Sequence, residues 1–139
     1  MRDLSYYKLS LTDFLQKSHP NLIDEAFINA RAALAVETYE DAIKNGYNHI
    51  EAGEQASQVL FDGLHFSKFD TLVNILQNEF SGIVPEEKIK ELVMKLLPEC
   101  EEVFSKYPLF DDFDYESAFN NLYTELTGTV AIYLDHHAI

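Results

Sequence analysis

The chain has 139 residues and a net charge of −14, from 24 acidic side chains against 10 basic ones. Such a surface repels phosphate backbones and anionic membranes and attracts cationic partners. Only Arg2 and Arg31 supply guanidinium groups, the usual readers of phosphates and bases, so direct nucleic-acid binding is not expected.

The length suits one domain, and the reading is a single helical domain over residues 1–139. Ten Phe and eight Tyr within an apolar content of 47% argue for a true core rather than acidic disorder. A lone cysteine, Cys100, rules out an intramolecular disulfide. The start, Met1 to Lys8, has no apolar core of a secretory leader, and no apolar run approaches the ~20 residues a bilayer requires. The expectation is a soluble cytoplasmic protein with no membrane association.

Helical periodicity runs through the chain. A first helix is predicted over Ser5–Lys17, with Leu11, Phe14 and Leu15 on one face and Pro20 ending the region. Asp24 is a suitable N-cap for a long second helix that Gly46 stops, with Phe27, Arg31, Leu34, Ala35, Thr38 and Ala42 as its stripe. Asn48 and Glu51 have the spacing of a capping box, and the third helix they open runs to Asp62, closed by Gly63. Ser67 caps a fourth, with Asp70 in its first turn and Phe69, Leu72, Val73, Leu76 and Phe80 inward; Gly82 is its expected stop.

Pro85 has the character of a first helical residue, followed by a face of Ile89, Leu92, Val93, Leu96 and Leu97. Pro98 is expected to break that helix and to begin a short sixth one. The last helix is predicted from Ser117 to His136, with Phe119, Leu122, Tyr123, Leu126, Val130, Tyr133 and Leu134 inward. No segment alternates like a strand. The fold class is all-α, a single compact bundle of six to seven helices.

Four segments together carry a family resemblance: Leu4-Ser5-Tyr6-Tyr7-Lys8-Leu9-Ser10-Leu11, the stretch LFDGLHFSKFDTLVNILQNEF over 60–80, Leu97-Pro98-Glu99-Cys100-Glu101, and Tyr123-Thr124-Glu125-Leu126-Thr127-Gly128-Thr129. The chain resembles a family of small uncharacterised proteins of Bacteroidetes, a domain of unknown function often carried near mobile elements. That resemblance implies an all-helical domain in a bacterial cytoplasm. It implies no activity and assigns no site residue.

Three places have the chemistry of a site. From Glu99 onward nine acidic residues face one lysine, and within that stretch lies Leu109-Phe110-Asp111-Asp112-Phe113-Asp114-Tyr115-Glu116. Rings interleaved with carboxylates can dock on a basic protein surface, so Phe110, Asp111, Asp112, Phe113, Asp114 and Tyr115 are the candidate partner-binding residues. The ordinary alternative is an interhelical loop whose rings fold back on the core. His65 and Lys68 stand at the start of the fourth helix, where backbone N–H groups can hold an anion, unless Ser67 simply caps it. Arg31 interrupts an apolar stripe. It is a ligand-binding candidate, or else a structural residue paired with Glu79 or a glutamate of the last helix.

Catalytic chemistry is not legible. Cys100 lies among Glu99, Glu101 and Glu102, which disfavour a thiolate. The scattered glycines form no phosphate loop, and Asp135-His136-His137 cannot close one metal site from consecutive helical positions. No cofactor and no metal are expected. The leading expectation is a non-catalytic acidic interaction module for a basic protein partner. The alternatives are a nucleic-acid mimic that inhibits a DNA-binding protein, and a small-ligand binder or enzyme with a pocket near Arg31, His65 and Lys68. A homodimer is compatible with all of them.

Overall fold

The computed structural model describes residues 3–137; Met1 and Arg2, part of the stretch read as lacking a leader, lie outside them. Among the described residues there are six α-helices and no strand, so the fold is all-α as expected. The residues form two compact units, the first ending at Leu64 and the second beginning at His65, each with its own apolar core.

In the first unit α1 (Leu4–Ser18) is opened by Asp3, whose carboxylate accepts the Tyr6 N–H at 3.0 Å. Its buried face is Tyr7, Leu11 and Leu15, spaced by four. A 3-10 turn, Pro20–Leu22, leads to α2 (Glu25–Lys44), capped by Asp24 as its sequence signals. The buried stripe of α2 is Ile28, Ala32, Ala35, Tyr39 and Ala42. The expected stripe is therefore wrong in part: Phe27, Arg31 and Thr38 are half-buried, and Leu34 is 48% exposed. Large apolar residues misdirect the reading here, because this seam is built from small ones. The buried face of α3 (His49–Leu60) answers it with Ala52, Gly53 and Ala56, small residues that let two helices approach closely, and ends on the larger Leu60.

Gly46 and Gly63 adopt positive φ of 93° and 75°, the left-handed geometry that turns the chain after α2 and after α3. The capping box is complete: Asn48 accepts the Glu51 N–H at 2.8 Å, and Glu51 accepts the Asn48 N–H at 3.1 Å.

The second unit holds α4 (Lys68–Glu79), α5 (Ile89–Phe104), a 3-10 turn at Phe113–Tyr115 and α6 (Ala118–His136). Ser67 caps α4 through the Asp70 N–H at 2.9 Å. Phe80, not Gly82, terminates it, and Gly82 has no left-handed backbone. Pro85 does not open α5 either; it precedes a 3-10 turn, Glu86–Lys88, and α5 begins at Ile89.

Pro98 corrects the reading most. It lies inside α5, which continues unbroken to Phe104, so the separate sixth helix does not exist. Proline removes the donor that would reach the Met94 carbonyl, but Pro98 and Met94 both lie on the exposed side, where water can take that carbonyl. On the opposite side Leu92, Leu96, Leu97, Cys100 and Phe104 all enter one core, and burial at ~1.5–3 kcal/mol per large side chain outweighs a proline cost of about 3 kcal/mol. Leu122, Leu126 and Val130 of α6 complete that core, with Phe119, Tyr123, Tyr133 and Leu134 packed against it. Gly128 sits mid-helix with nothing within 4 Å of where a Cβ would stand, so close helix packing is not the reason for it.

Candidate functional site

The acidic-aromatic segment connects α5 to α6. Phe113 is a core residue, 1% exposed, and so offers no ring to a partner. Its ring meets Phe66 and Phe110 edge-on, each at 5.7 Å between centroids, with Tyr107 and Phe119 also against it. Such edge-to-face pairs favour a single ring placement. With Phe113 fixed inward, its neighbours in the 3-10 turn point the other way. Tyr115 is 84% exposed and Phe110 47%, and Asp112, Asp114 and Glu116 are exposed beside them. Among the described residues, the ion pairs of this unit lie elsewhere, at Lys68–Glu101, Lys95–Glu91 and Lys106–Glu125.

Asp111 behaves differently. It is half-buried, and its carboxylate accepts the His65 backbone N–H at 3.3 Å. The segment is thus divided. Asp111 and Phe113 hold the turn in place, Phe110 packs one edge on Phe113 and leaves the rest of its ring exposed, and Asp112, Asp114 and Tyr115 face outward.

At the start of α4, His65 is exposed and Ser67 already serves a helix-end donor. Lys68 reaches both oxygens of Glu101, at 3.1 and 3.0 Å, and lies 5.4 Å from the Phe104 ring. The ordinary account of a capped helix start explains this place.

Arg31 is structural in a way its expected partners do not describe. Its Nη1 stands 3.1 Å from the Val59 carbonyl, 3.3 Å from Leu60 and 2.8 Å from Asp62. Val59 and Leu60 are the last two residues of α3 and Asp62 lies just beyond its end, so the cation meets the negative end of the helix dipole. The Phe27 ring supports the guanidinium at 4.8 Å. Glu79, the proposed partner, instead accepts from the Tyr123 hydroxyl at 3.4 Å.

One pair is not legible in the sequence. The Tyr39 hydroxyl and Nδ1 of His49 are 2.6 Å apart, beside a cleft of about 730 Å³ that Glu54, Ser57 and Gln58 also line. The only signal is that the Gly46 turn folds α3 back on α2. His19 is likewise engaged, with Nε2 2.7 Å from the Leu64 carbonyl.

Among the described residues, no group of three or more His, Cys, Asp or Glu is placed to hold a metal ion. The His137 ring stacks on Tyr133 at 3.9 Å. Cys100 is buried, and burial, reinforced by Glu99, pushes its thiol up to about 11. No helix among the described residues is long and apolar enough to cross a membrane.

Six helices and no strand among the described residues place the chain in the all-α class. The chain belongs to the domain of unknown function DUF1896, whose family model matches residues 1–139. It is similar to protein PG0816 from Porphyromonas gingivalis, a crystal structure 39% identical in sequence with a TM-score of 0.92, over 98% of this chain and 95% of that one. The Bacteroidetes resemblance is thereby confirmed. A comparison with curated proteins gives no match.

Proposed function

We propose that the protein is a non-catalytic, cytoplasmic interaction module that binds a basic surface of another protein through Phe110, Asp112, Asp114 and Tyr115. The observation that carries this reading is the exposure of Tyr115 at 84%, on a turn fixed by the buried Phe113 beneath it. An aromatic ring left in water beside unpaired carboxylates gains most from a partner that covers it and supplies Lys or Arg. The turn is held in advance, so little ordering entropy is lost on binding. Exposed charge also gives the encounter a marked salt dependence.

The test is affinity capture from the native host with the intact chain as bait, followed by mass spectrometry. The expected result is a partner of basic isoelectric point whose retention falls at least about tenfold, roughly 1.4 kcal/mol, with Asp112→Lys/Asp114→Lys. Retention unchanged by that double substitution and by Tyr115→Ala would overturn the reading. Capture of only a second copy of the chain would replace it with self-association.

A further inference from the structure

Arg31 is satisfied on one side only. Nη1 serves three carbonyls, and among the described residues no hydrogen bond engages Nε or Nη2. Among the described residues no carboxylate forms an ion pair with it, in a chain with 24 acids. The same side chain lines a cleft of about 570 Å³ between the Pro20–Leu22 turn, the first turns of α2 and the turn after α3. That volume is within the range of small-molecule sites. Leu22, Ile23, Phe27 and Leu64 form apolar walls, and Leu22 and Ile23 remain 42% and 47% exposed. Asp24, whose carboxylate also accepts the Phe27 N–H, and Asp62 line the same cleft.

We propose that this cleft binds a free amino acid with an apolar side chain. The charges select the class. One guanidinium and two carboxylates give the cleft a formal −1, so a simple carboxylate would enter against net repulsion. A simple amine would leave the guanidinium unpaired. A zwitterion answers both signs: its carboxylate matches the planar Nε/Nη2 edge, and its ammonium pairs with the Asp24 or Asp62 carboxylate. The apolar side chain then covers Leu22, Ile23 and Phe27. Phe27 and the α3 carbonyls hold the guanidinium in place beforehand, as a binding group requires.

The experiment is titration of the full chain, followed by amide chemical shifts, with L-leucine and L-phenylalanine and with the single-charge analogues 4-methylpentanoate and 3-methylbutylamine. Leucine or phenylalanine should bind with Kd of about 1 mM or tighter, the analogues at least about tenfold more weakly, with shifts confined to 21–31 and 59–64. Arg31→Lys keeps the charge, removes the planar fork and should weaken binding at least tenfold. Because Arg31 also holds the end of α3, Asp62→Asn and Ile23→Ser provide folded variants that should each weaken binding several-fold. No shift with either amino acid at about 10 mM overturns the proposal, as do equal affinities for the analogues or binding indifferent to all three variants. Asp112→Lys/Asp114→Lys should leave this binding intact, which separates it from capture of a protein partner.

Discussion

The carboxylate of Asp111 accepts the backbone N–H of His65 at 3.3 Å, joining the turn before α6 to the residue that leads into α4. This one bond separates Asp111 from the acids beside it. Asp111→Lys should lower stability by about 0.5–1.5 kcal/mol, because it removes an acceptor and places a cation against a donor. Asp112→Lys and Asp114→Lys should change the urea midpoint by less than about 0.5 kcal/mol equivalent, as expected for exposed positions. Comparable losses at all three positions would mean the outward acids are also structural.

Arg31→Met keeps an apolar stem against Phe27 and removes the donor from three carbonyls. Charged hydrogen bonds contribute about 1.5–3 kcal/mol, and the partly exposed setting places the expected loss near the lower end. Urea unfolding should show a lower midpoint, and hydrogen exchange should show faster opening in 57–64. An unchanged midpoint would mean that water serves the end of α3 as well as Arg31 does.

Asn48→Ala opens the capping box of α3 and should cost about 1 kcal/mol, with loss of helicity at its first turn. Glu51→Gln keeps an oxygen acceptor and should cost less. Equal effects from the two would show that charge at the helix start matters more than the reciprocal bonds.

Pro98→Ala should stabilise the second unit by about 1–3 kcal/mol, since alanine restores the donor to Met94 and touches no buried side chain. Part of that gain is offset by the greater freedom of the unfolded chain. A destabilised variant would mean that the proline conformation is required locally.

Cys100 should be inert to thiol reagents in the native state and reactive once unfolded. Its thiol is raised from an ordinary 9.0 to about 11, because burial and then Glu99 disfavour the thiolate. A raised acid of this kind contributes stability fully below the unfolded value and loses it as pH rises from about 9 to 11. Rapid modification by a maleimide at pH 8 would contradict this.

Much of the fold is legible in the residues themselves because it is local. Asp24, Ser67 and the Asn48–Glu51 pair signal helix starts through bonds only three residues long, and Gly46 and Gly63 mark turns through backbone freedom. The misread elements depend on distant partners. The alanine seam of α2 makes sense only beside Ala52 and Ala56, and α5 survives Pro98 only because one core receives both of its ends. Phe113 and Arg31 follow the same rule. Composition identifies an aromatic and a cation in suggestive company, but Phe66 and the Asp62 carbonyl, about thirty to fifty positions away, decide their roles.

Helices ordinarily fray from their tips. In α5 the rung between residues 94 and 98 is missing by chemistry, so the ladder is interrupted on its wet side near the midpoint. Its amides therefore belong to two shorter stretches, and brief openings can begin between them while Leu96 and Leu97 stay seated in the core.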